Sequence, residues 1–349
     1  MKHLIKWIEE RYNLAPMLEF MAKKKVPHGR GWYWYYLGGV ALFLFVVQVL
    51  SGILLLMYYK ASVNEAFESV QFIITKVQFG WLIRSVHSWS ANFMVLAIFL
   101  HMFSVFFQRA YTKPRELTWV TGFFLLMLTF GFGFSGYLLP WNELSFFATK
   151  VGTAIVGALP LIGKPIMIFL RGGLEVTGAT LPRFFGFHVA ILPLVFVVFL
   201  AIHLLFIQLQ GMHEPNIPEE EKKYIPFFPH FMLRDILLWL IVLNIVAIFA
   251  VFFPWELGHK ADLFAPAPAN IRPEWYFMFM FETLKLIPAH ILFIEGEVLG
   301  ILFFAAVFVI WLLVPFFDKG DDDKRFTRMK WIGIGAVVYI AAITIWGYV

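Results

Sequence analysis

The sequence predicts an all-α membrane protein with seven transmembrane helices. Hydrophobic residues make up 60% of the 349 residues and the mean hydropathy is +0.76, whereas soluble domains are about 45–50% apolar. Two of the apolar stretches contain histidines, and an ionisable side chain at that depth is costly enough to indicate a functional site. The stretches long enough to cross a bilayer are 33–59, 80–108, 117–139, 184–209, 235–253, 291–317 and 331–348.

The remaining segments are predicted to lie at the membrane surfaces. The opening of the segment 1–32 has the pattern of an amphipathic surface helix. It has no signal-peptide pattern, so we expect no cleaved leader. The segments near 144–156, 163–171 and 273–289 are apolar but too short to span, and we expect them to form helices along one surface.

Lysine and arginine give the predicted orientation. They are concentrated in the N-terminal segment and in the loops after the second, fourth and sixth spans, which share one side if seven spans cross. Basic loops face the cytoplasm, so we expect a cytoplasmic N-terminus, an outer C-terminus and outer function in the loops 140–183 and 254–290. The net charge of +5 then reflects cytoplasmic loops and does not indicate nucleic-acid binding.

Two pairs of histidines occupy the second and fourth spans. His87 and His101 are 14 residues apart, about 40° short of four helical turns and roughly 21 Å along the axis. His188 and His203 are 15 residues apart, about 60° past four turns. Both helices run inward, so His87 lies level with His188, and His101 with His203. Facing imidazoles predict two haems with both axial positions filled, which suits electron transfer. The chain has no cysteine, so neither haem is attached through a thioether.

Glycines at a matching spacing support the haem prediction. Gly38 and Gly52 on the first span are 14 residues apart, as are Gly122 and Gly136 on the third. A macrocycle between helices needs faces without Cβ atoms, which glycine provides. Close helix–helix contact is the alternative explanation, because small residues are common at such contacts in membranes.

Three arginines lie at the predicted membrane boundaries near the histidines. Arg84 precedes His87 by one helical turn, Arg183 lies just before His188, and Arg115 lies at the inner boundary. Each is a candidate to pair with a haem propionate. Snorkelling of an interfacial arginine is the alternative.

Several runs closely resemble the cytochrome b family, the quinol-oxidising core of respiratory complex III and of its plastid counterpart. They are FGWLIRSVHSWSANFMV at 79–95, KPRELTWVTG at 113–122, GYLLPWNELSFFATK at 136–150 and PEWY at Pro273–Tyr276. The spacing from His188 to His203 resembles the plastid type, yet the chain is continuous, which indicates a fused bacterial form in the cytoplasmic membrane. The resemblance implies a dihaem four-helix bundle over 33–210 and a three-helix C-terminal domain over 211–349.

The resemblance also implies the chemistry. A quinol (menaquinol, ubiquinol or plastoquinol) would be oxidised near the outer surface, in a pocket lined by PEWY and the helix after Trp141. One electron would go to a Rieske iron–sulfur protein and on to a c-type cytochrome. The other would cross through two non-covalent b-type haems to an inner quinone-reduction site, contributing to the proton-motive force. The family also implies a homodimeric complex.

The resemblance assigns roles to residues at both quinone sites. Glu274 is the expected proton acceptor for quinol, because partial burial would raise its pKa towards a useful value. Pro273 would fix the loop beside Trp275, and Tyr276 would hydrogen-bond the quinone or a partner. At the inner site, Arg234-Asp235 matches the family's Lys-Asp pair, with Asp235 as proton donor. Further inner-site candidates are His213 and Lys222.

Two other classes of protein stay open on the residues. A dihaem anchor, as in formate dehydrogenase or nitrate reductase, would take electrons from a soluble partner, although its histidine spacings differ and it lacks PEWY. A transporter with buried histidines as proton relays would contain no haem.

Overall fold

Long apolar helices dominate the computed structural model, which describes residues 2–13, 15–28, 32–214, 218, 220, 222–262, 266–267, 271–320 and 322–349. The helices are α1 (Lys2–Tyr12), α2 (Ala15–Lys23), α3 (Leu37–Leu56), α4 (Ala66–Thr75), α5 (Gly80–Phe107), α6 (Glu116–Leu138), α7 (Glu143–Gly157), α8 (Gly163–Arg171), α9 (Thr180–Gly186), α10 (Leu192–Gln210), α11 (Met232–Phe252), α12 (Trp275–Leu286), α13 (Gly296–Leu312), α14 (Val314–Phe317) and α15 (Asp323–Trp346). The short helices predicted near 144–156, 163–171 and 273–289 are confirmed as α7, α8 and α12.

Six helical segments of the described chain are long and apolar enough to cross a membrane. They are Tyr33–Leu56, Gly80–Phe107, Glu116–Leu138, Thr180–Gln210, Phe227–Phe252 and Asp323–Trp346. The predicted span 291–317 differs, because it is divided into α13, of 17 residues, and the four-residue α14. Pro315 lies at the start of α14 and has no N–H to continue the ladder of α13. The helical membrane fold is therefore as predicted, and the seventh span stays a prediction.

The N-terminal segment is more divided than the sequence predicted. Its first helix ends at Tyr12, and Asn13 has a φ of 42°, a left-handed conformation that asparagine tolerates better than most residues. After α2 the chain forms strand β1 (Lys25–Pro27), which pairs antiparallel with β2 (Tyr224–Pro226), Val26 opposite Ile225. This pairing ties the N-terminal segment to the loop before α11. A second hairpin joins β3 (His290–Ile291) to β4 (Ile294–Glu295).

The helices that carry the histidines and glycines surround one core, each packed against the next along the chain. α3 packs on α5, α5 on α6, and α6 on α10. The rings of Phe45 on α3 and Phe196 on α10 lie 4.5 Å apart between centroids, so these two helices also meet. Among the C-terminal helices, α11 packs on α3 and α5, and α12 packs on α13 and α15. The α3–α5–α6–α10 group, with the turn Phe187–Ile191 that leads into α10, therefore positions all four histidines.

Candidate functional site

The imidazoles of His87 and His188 face each other across the core. Their ring centroids are 6.4 Å apart, with an angle of 75° between the ring planes. Metal–imidazole bonds are about 2 Å long, so a metal ion between two rings would hold their centroids about 6 Å apart. The observed separation leaves room for one metal ion between the two side chains.

A π-helical turn explains the unequal spacing of the two histidine pairs. His188 lies in the π turn Phe187–Ile191, which joins α9 to α10 within one continuous helical segment. A π turn closes i→i+5 bonds and so accommodates about one residue more than an α turn. The π turn therefore absorbs the one extra residue between His188 and His203. Along the helix, these two histidines are then separated like His87 and His101, which are 14 residues apart. The sequence alone gave no sign of this turn.

Each of the four predicted glycines lies against one of the four histidines. A Cβ atom added at these glycines would meet Cε1 of an imidazole at 3.3 Å between Gly38 and His101, 3.3 Å between Gly52 and His87, 3.3 Å between Gly122 and His203, and 2.7 Å between Gly136 and His188. Contacts under 3.4 Å are tighter than nearly all real Cβ contacts. The glycines therefore make room for the imidazoles themselves. From the sequence we expected them to make room for a macrocycle.

Hydroxyl groups hold three of the four imidazoles, and sequence reasoning missed them. Nδ1 lies 2.9 Å from Ser51 Oγ in His87, 3.0 Å from Ser135 Oγ in His188, and 2.9 Å from Thr121 Oγ1 in His203. Each hydroxyl residue directly precedes one of the glycines, so a Ser/Thr-Gly pair was the available signal. The fourth glycine follows Leu37, and Nδ1 of His101 has no hydrogen-bond partner in the described part of the chain.

The donor set suits a haem. No group of three or more histidine, cysteine, aspartate or glutamate side chains is placed to hold a metal ion among the described residues. The strong donors in the core are the four imidazoles, of which those of His87 and His188 face each other. A pair of axial imidazoles is sufficient when a macrocycle supplies the other four nitrogens. The four glycines beside the imidazoles and the 6.4 Å separation of the His87 and His188 rings are also compatible with a haem.

The three arginines predicted to pair with propionates all donate to backbone carbonyls. Arg84 is buried, and its guanidinium donates to the carbonyls of Trp255 and, over 3.0 Å, Glu256. Arg115 donates to Gly211 and Met212, and Arg183 to Phe169 over 3.2 Å. Arg84 thus ties the loop after α11 to the helix that carries His87. A guanidinium has five N–H donors, so the pairing with propionates stays a prediction.

A second group of residues lies where α12 begins. Glu274 directly precedes α12 with an extended backbone, and burial raises the pKa of its carboxyl to about 7. Tyr276 is 5% exposed. The pKa of its phenol is raised well above the usual range, mainly by burial and to a smaller extent by the charge of Glu274. A Cβ at Gly133 of α6 would lie 2.5 Å from the Tyr276 hydroxyl. Gly133 therefore makes room for Tyr276.

A cavity of about 510 Å³ lies between α7 and the far half of α12. Its lining includes Val151 and Ile155 of α7, Phe281 and Leu284 of α12, and the charged side chain of Glu295. This volume lies within the range typical of small-molecule sites. The helix after Trp141 thus lines a cavity, but no residue of Pro273–Tyr276 belongs to this lining, so a quinol pocket formed by both segments stays a prediction.

Trp141 is a core residue in this structure. It is 3% exposed, packs with Phe146 and Phe147, and has a φ of 51°. Its left-handed backbone turns the chain from α6 into α7, whose first turn is capped by Asn142, with Oδ1 accepting from the Ser145 N–H over 2.8 Å. Trp141 therefore positions α7, and contact with a quinol stays a prediction.

Two candidates for the inner site, Arg234 and Asp235, lie in the first turn of α11, beside the start of α3. Asp235 is in the first turn of α11, and its carboxylate oxygens lie 2.6 Å from the position a Cβ of Gly39 would take. Its Oδ1 has no hydrogen-bond partner within the described ranges, while Arg234 is exposed. Gly39 thus makes room for the carboxylate of Asp235.

His213 and Lys222 lie in the loop between α10 and α11. Burial, with the nearby cation of Arg115, lowers the pKa of His213 to about 4, so its imidazole is neutral at pH 7. Its carbonyl accepts from the Tyr35 hydroxyl over 2.9 Å. Lys222 forms an ion pair of 3.2 Å with Glu214. The ion pair with Glu214 gives Lys222 a structural role within the loop. A role in quinone binding for His213 or Lys222 stays a prediction.

Comparisons with known proteins agree with this arrangement. Residues 23–211 match the family model described as cytochrome b/b6/petB, and residues 261–349 match cytochrome b(C-terminal)/b6/petD. The chain is 48% identical over 323 residues to a cytochrome bc complex cytochrome b subunit of Chlorobaculum thiosulfatiphilum, covering 91% of this chain and 74% of that protein. A solved chain of a hyperthermophilic respiratory Complex III superposes with a TM-score of 0.87 at 30% identity, covering 99% of this chain and 91% of the other.

Proposed function

The chain belongs to the cytochrome b/b6 family, and from this premise we propose that it oxidises quinol at an outer site and reduces quinone at an inner one. As a subunit of a bc-type complex it would act in a quinol:cytochrome c oxidoreductase. The observation that carries the proposal is the seating of four histidines, in two pairs, against four glycines of the neighbouring helices.

The histidine pairs would hold two non-covalent b-type haems. His87 and His188 would ligate the outer haem, and His101 and His203 the inner one. Held by these histidines, the haems would supply one-electron transfer between the two sides of the membrane. The chain's own contribution is to fix the two rings of each pair on separate helices and to keep a space free of Cβ atoms around them.

At the outer site, Glu274 would accept a proton from the quinol hydroxyl. Its support is a carboxyl whose pKa burial raises to about 7, close to the value at which a general base works best near neutral pH. Trp275, with Pro273 directly before Glu274, would hold the loop, and Tyr276 would present its buried phenol. The cavity between α7 and α12 would receive the apolar part of the quinol.

At the inner site, Asp235 would donate a proton to reduced quinone. Its carboxylate lies over Gly39 with one oxygen free of hydrogen bonds in the described structure. Arg234 and His213 would line the same site, and Arg115 would pair with a propionate on this side, as Arg84 and Arg183 would outside. Proton uptake inside and release outside would contribute to the proton-motive force.

The proposal includes an assembly and a topology. The partners would be a Rieske iron–sulfur protein, a c-type cytochrome and a second copy of the complex, in a bacterial cytoplasmic membrane with the N-terminus inside. Residues 33–210 would form the haem-binding four-helix bundle and 211–349 a three-helix domain. α13, although only 17 residues long, would complete seven spans, because this length is at the lower limit for crossing a bilayer.

Haem quantification on the purified complex tests the proposal. We expect two non-covalent b-type haems per chain in a dithionite-reduced minus oxidised spectrum. His101→Leu should remove the inner haem alone, leaving one haem per chain. A preparation without haem would overturn the proposal in favour of a transporter with buried histidines. Two haems with no response to quinol analogues that bind the outer site would favour a dihaem anchor served by a soluble partner.

A further inference from the structure

The three hydroxyls beside the histidines have already donated their only proton to the backbone. Ser51 Oγ donates to the Val47 carbonyl over 2.6 Å, and Ser135 Oγ donates to the Gly131 carbonyl over 2.7 Å. Thr121 Oγ1 lies 3.0 Å from the Leu117 carbonyl and 2.9 Å from that of Thr118. A hydroxyl has one donor and two acceptor lone pairs, so each oxygen can only accept from the imidazole.

This arrangement fixes the tautomer of three imidazoles. Because each hydroxyl oxygen accepts, the proton of the neutral ring lies on Nδ1, and Nε2 keeps its lone pair for a metal. An Nδ1–H that donates to an oxygen also makes the ring a stronger donor to a bound metal. His101 differs, because the residue directly before its glycine is Leu37, whereas the other three glycines follow Ser51, Thr121 and Ser135.

We propose that Ser51, Ser135 and Thr121 are positioning residues that hold His87, His188 and His203 in the ligating tautomer, with no equivalent for His101. This inference rests on the proposed function, since it assigns the ligand-orienting groups of the same haem sites. The outer pair has two oriented imidazoles and the inner pair has one. Stronger axial donors favour the ferric state, so each of the three hydroxyls would lower the midpoint potential of the haem that its histidine would hold.

A hydroxyl bonded to its own helix is not by itself sufficient for this role. Thr129 lies on α6 between Thr121 and Ser135 and donates to the Leu125 carbonyl over 2.8 Å. It is buried like the others, but among the described residues its hydroxyl makes no hydrogen bond to an imidazole. Thr129 therefore serves as a matched control with the same backbone bond and no histidine.

A potentiometric titration of the purified complex, followed at the haem α bands, tests the proposal. Ser51→Ala and Ser135→Ala should each raise the midpoint potential of the outer haem, and Thr121→Ala that of the inner haem. We expect about a tenfold change in the ratio of reduced to oxidised haem at a fixed potential, which for a one-electron couple is about 59 mV. Leu37→Ser should lower the potential of the inner haem alone.

The controls separate orientation of the ligand from general damage. Ser51→Thr and Thr121→Ser keep the hydroxyl and should keep the wild-type potential, and Thr129→Ala should leave both potentials unchanged. Full haem content with unmoved potentials in all three alanine variants would overturn the inference, as would a shift confined to the other haem. Absence of haem from the wild-type complex would instead overturn the proposed function, so the two failures are distinguishable.

Discussion

Trp275 donates a hydrogen bond of 2.8 Å from its indole nitrogen to Oδ1 of Asn92. The amide of Asn92 is oriented for this contact, because its Nδ2 donates to the Ser88 carbonyl over 3.0 Å. The bond joins the residue after Glu274 to α5, which carries His87 and His101. The segment proposed to oxidise quinol is thus fixed directly to the helix proposed to hold both haems.

Asn92→Ala should loosen the PEWY segment without disturbing the histidines. Loss of one hydrogen bond of this kind costs about 0.5–1.5 kcal/mol, and misplacing a general base slows a reaction further. We expect quinol oxidation to slow about tenfold with haem content unchanged. Asn244→Ala is the control, because Asn244 makes the same type of bond on α11, to the Leu240 carbonyl over 2.7 Å. Equal slowing in both variants would show that the Trp275 contact has no special role.

The rate of quinol oxidation should rise with pH through about 7. Glu274 can accept a proton only when ionised, and burial raises its pKa to about 7, so the active fraction grows as the pH increases. Glu274→Gln should slow the rate by about 10²–10⁴-fold and abolish the rise, while both haem spectra stay intact. Glu282→Gln on the same helix should keep the wild-type profile. A wild-type rate that is flat between pH 5.5 and 8 would remove Glu274 from the mechanism.

The four core histidines stand out in the sequence because an ionisable side chain is costly in a membrane. Histidines inside apolar spans and glycines at a spacing of 14 stand out without any tertiary information. The hydroxyls of Ser51 and Thr121 did not, since serine and threonine are ordinary in membrane helices and their backbone bonds conceal them. The π turn around His188 was also beyond prediction, because it is a local change of helical pitch with no residue signature of its own.

Two features of the fold depended on contacts that hydropathy cannot show. A hydropathy window treats 291–317 as one stretch, whereas the backbone divides it before Pro315. In the sequence, the arginines near the membrane boundaries indicated partners for an anionic group. In the structure, Arg84 donates hydrogen bonds to the backbone carbonyls of the loop at 255–256. That loop comes from a distant part of the chain, so only the tertiary structure brings it to α5.

Gly136→Ala should remove the outer haem selectively. A Cβ there would lie 2.7 Å from Cε1 of His188, too close for the ring to stay in place, so we expect haem content to fall from two to about one per chain. Gly335→Ala is the control, since nothing lies within 4 Å of the Cβ position in α15. That substitution should leave haem content intact and stabilise the helix by up to about 1 kcal/mol. Two haems in Gly136→Ala would contradict the seating of His188 against this glycine.

Asp318→Asn should destabilise the protein far more than Asp323→Asn. Asp318 is completely buried between the loop after α5 and the loop before α15. Burial alone would raise its pKa, but hydrogen bonds from Arg109, Tyr111 and the Gly320 N–H outweigh that effect and lower the pKa below its usual value. The stabilisation is therefore fully present above the ordinary aspartate pKa of about 4 and is lost below it, as the pH falls through the lowered pKa of Asp318.

Thermal unfolding in detergent, followed by tryptophan fluorescence, measures this difference. Removing one charge from a buried pair costs about 3–5 kcal/mol, so Asp318→Asn should lower the unfolding temperature markedly at pH 7. Asp323 bonds the same arginine over 3.1 Å, but its side chain is 96% exposed, where water screens the pair. Asp323→Asn should therefore leave the unfolding temperature nearly unchanged. Similar shifts in the two variants would mean that the buried pair does not fasten α15 to α5.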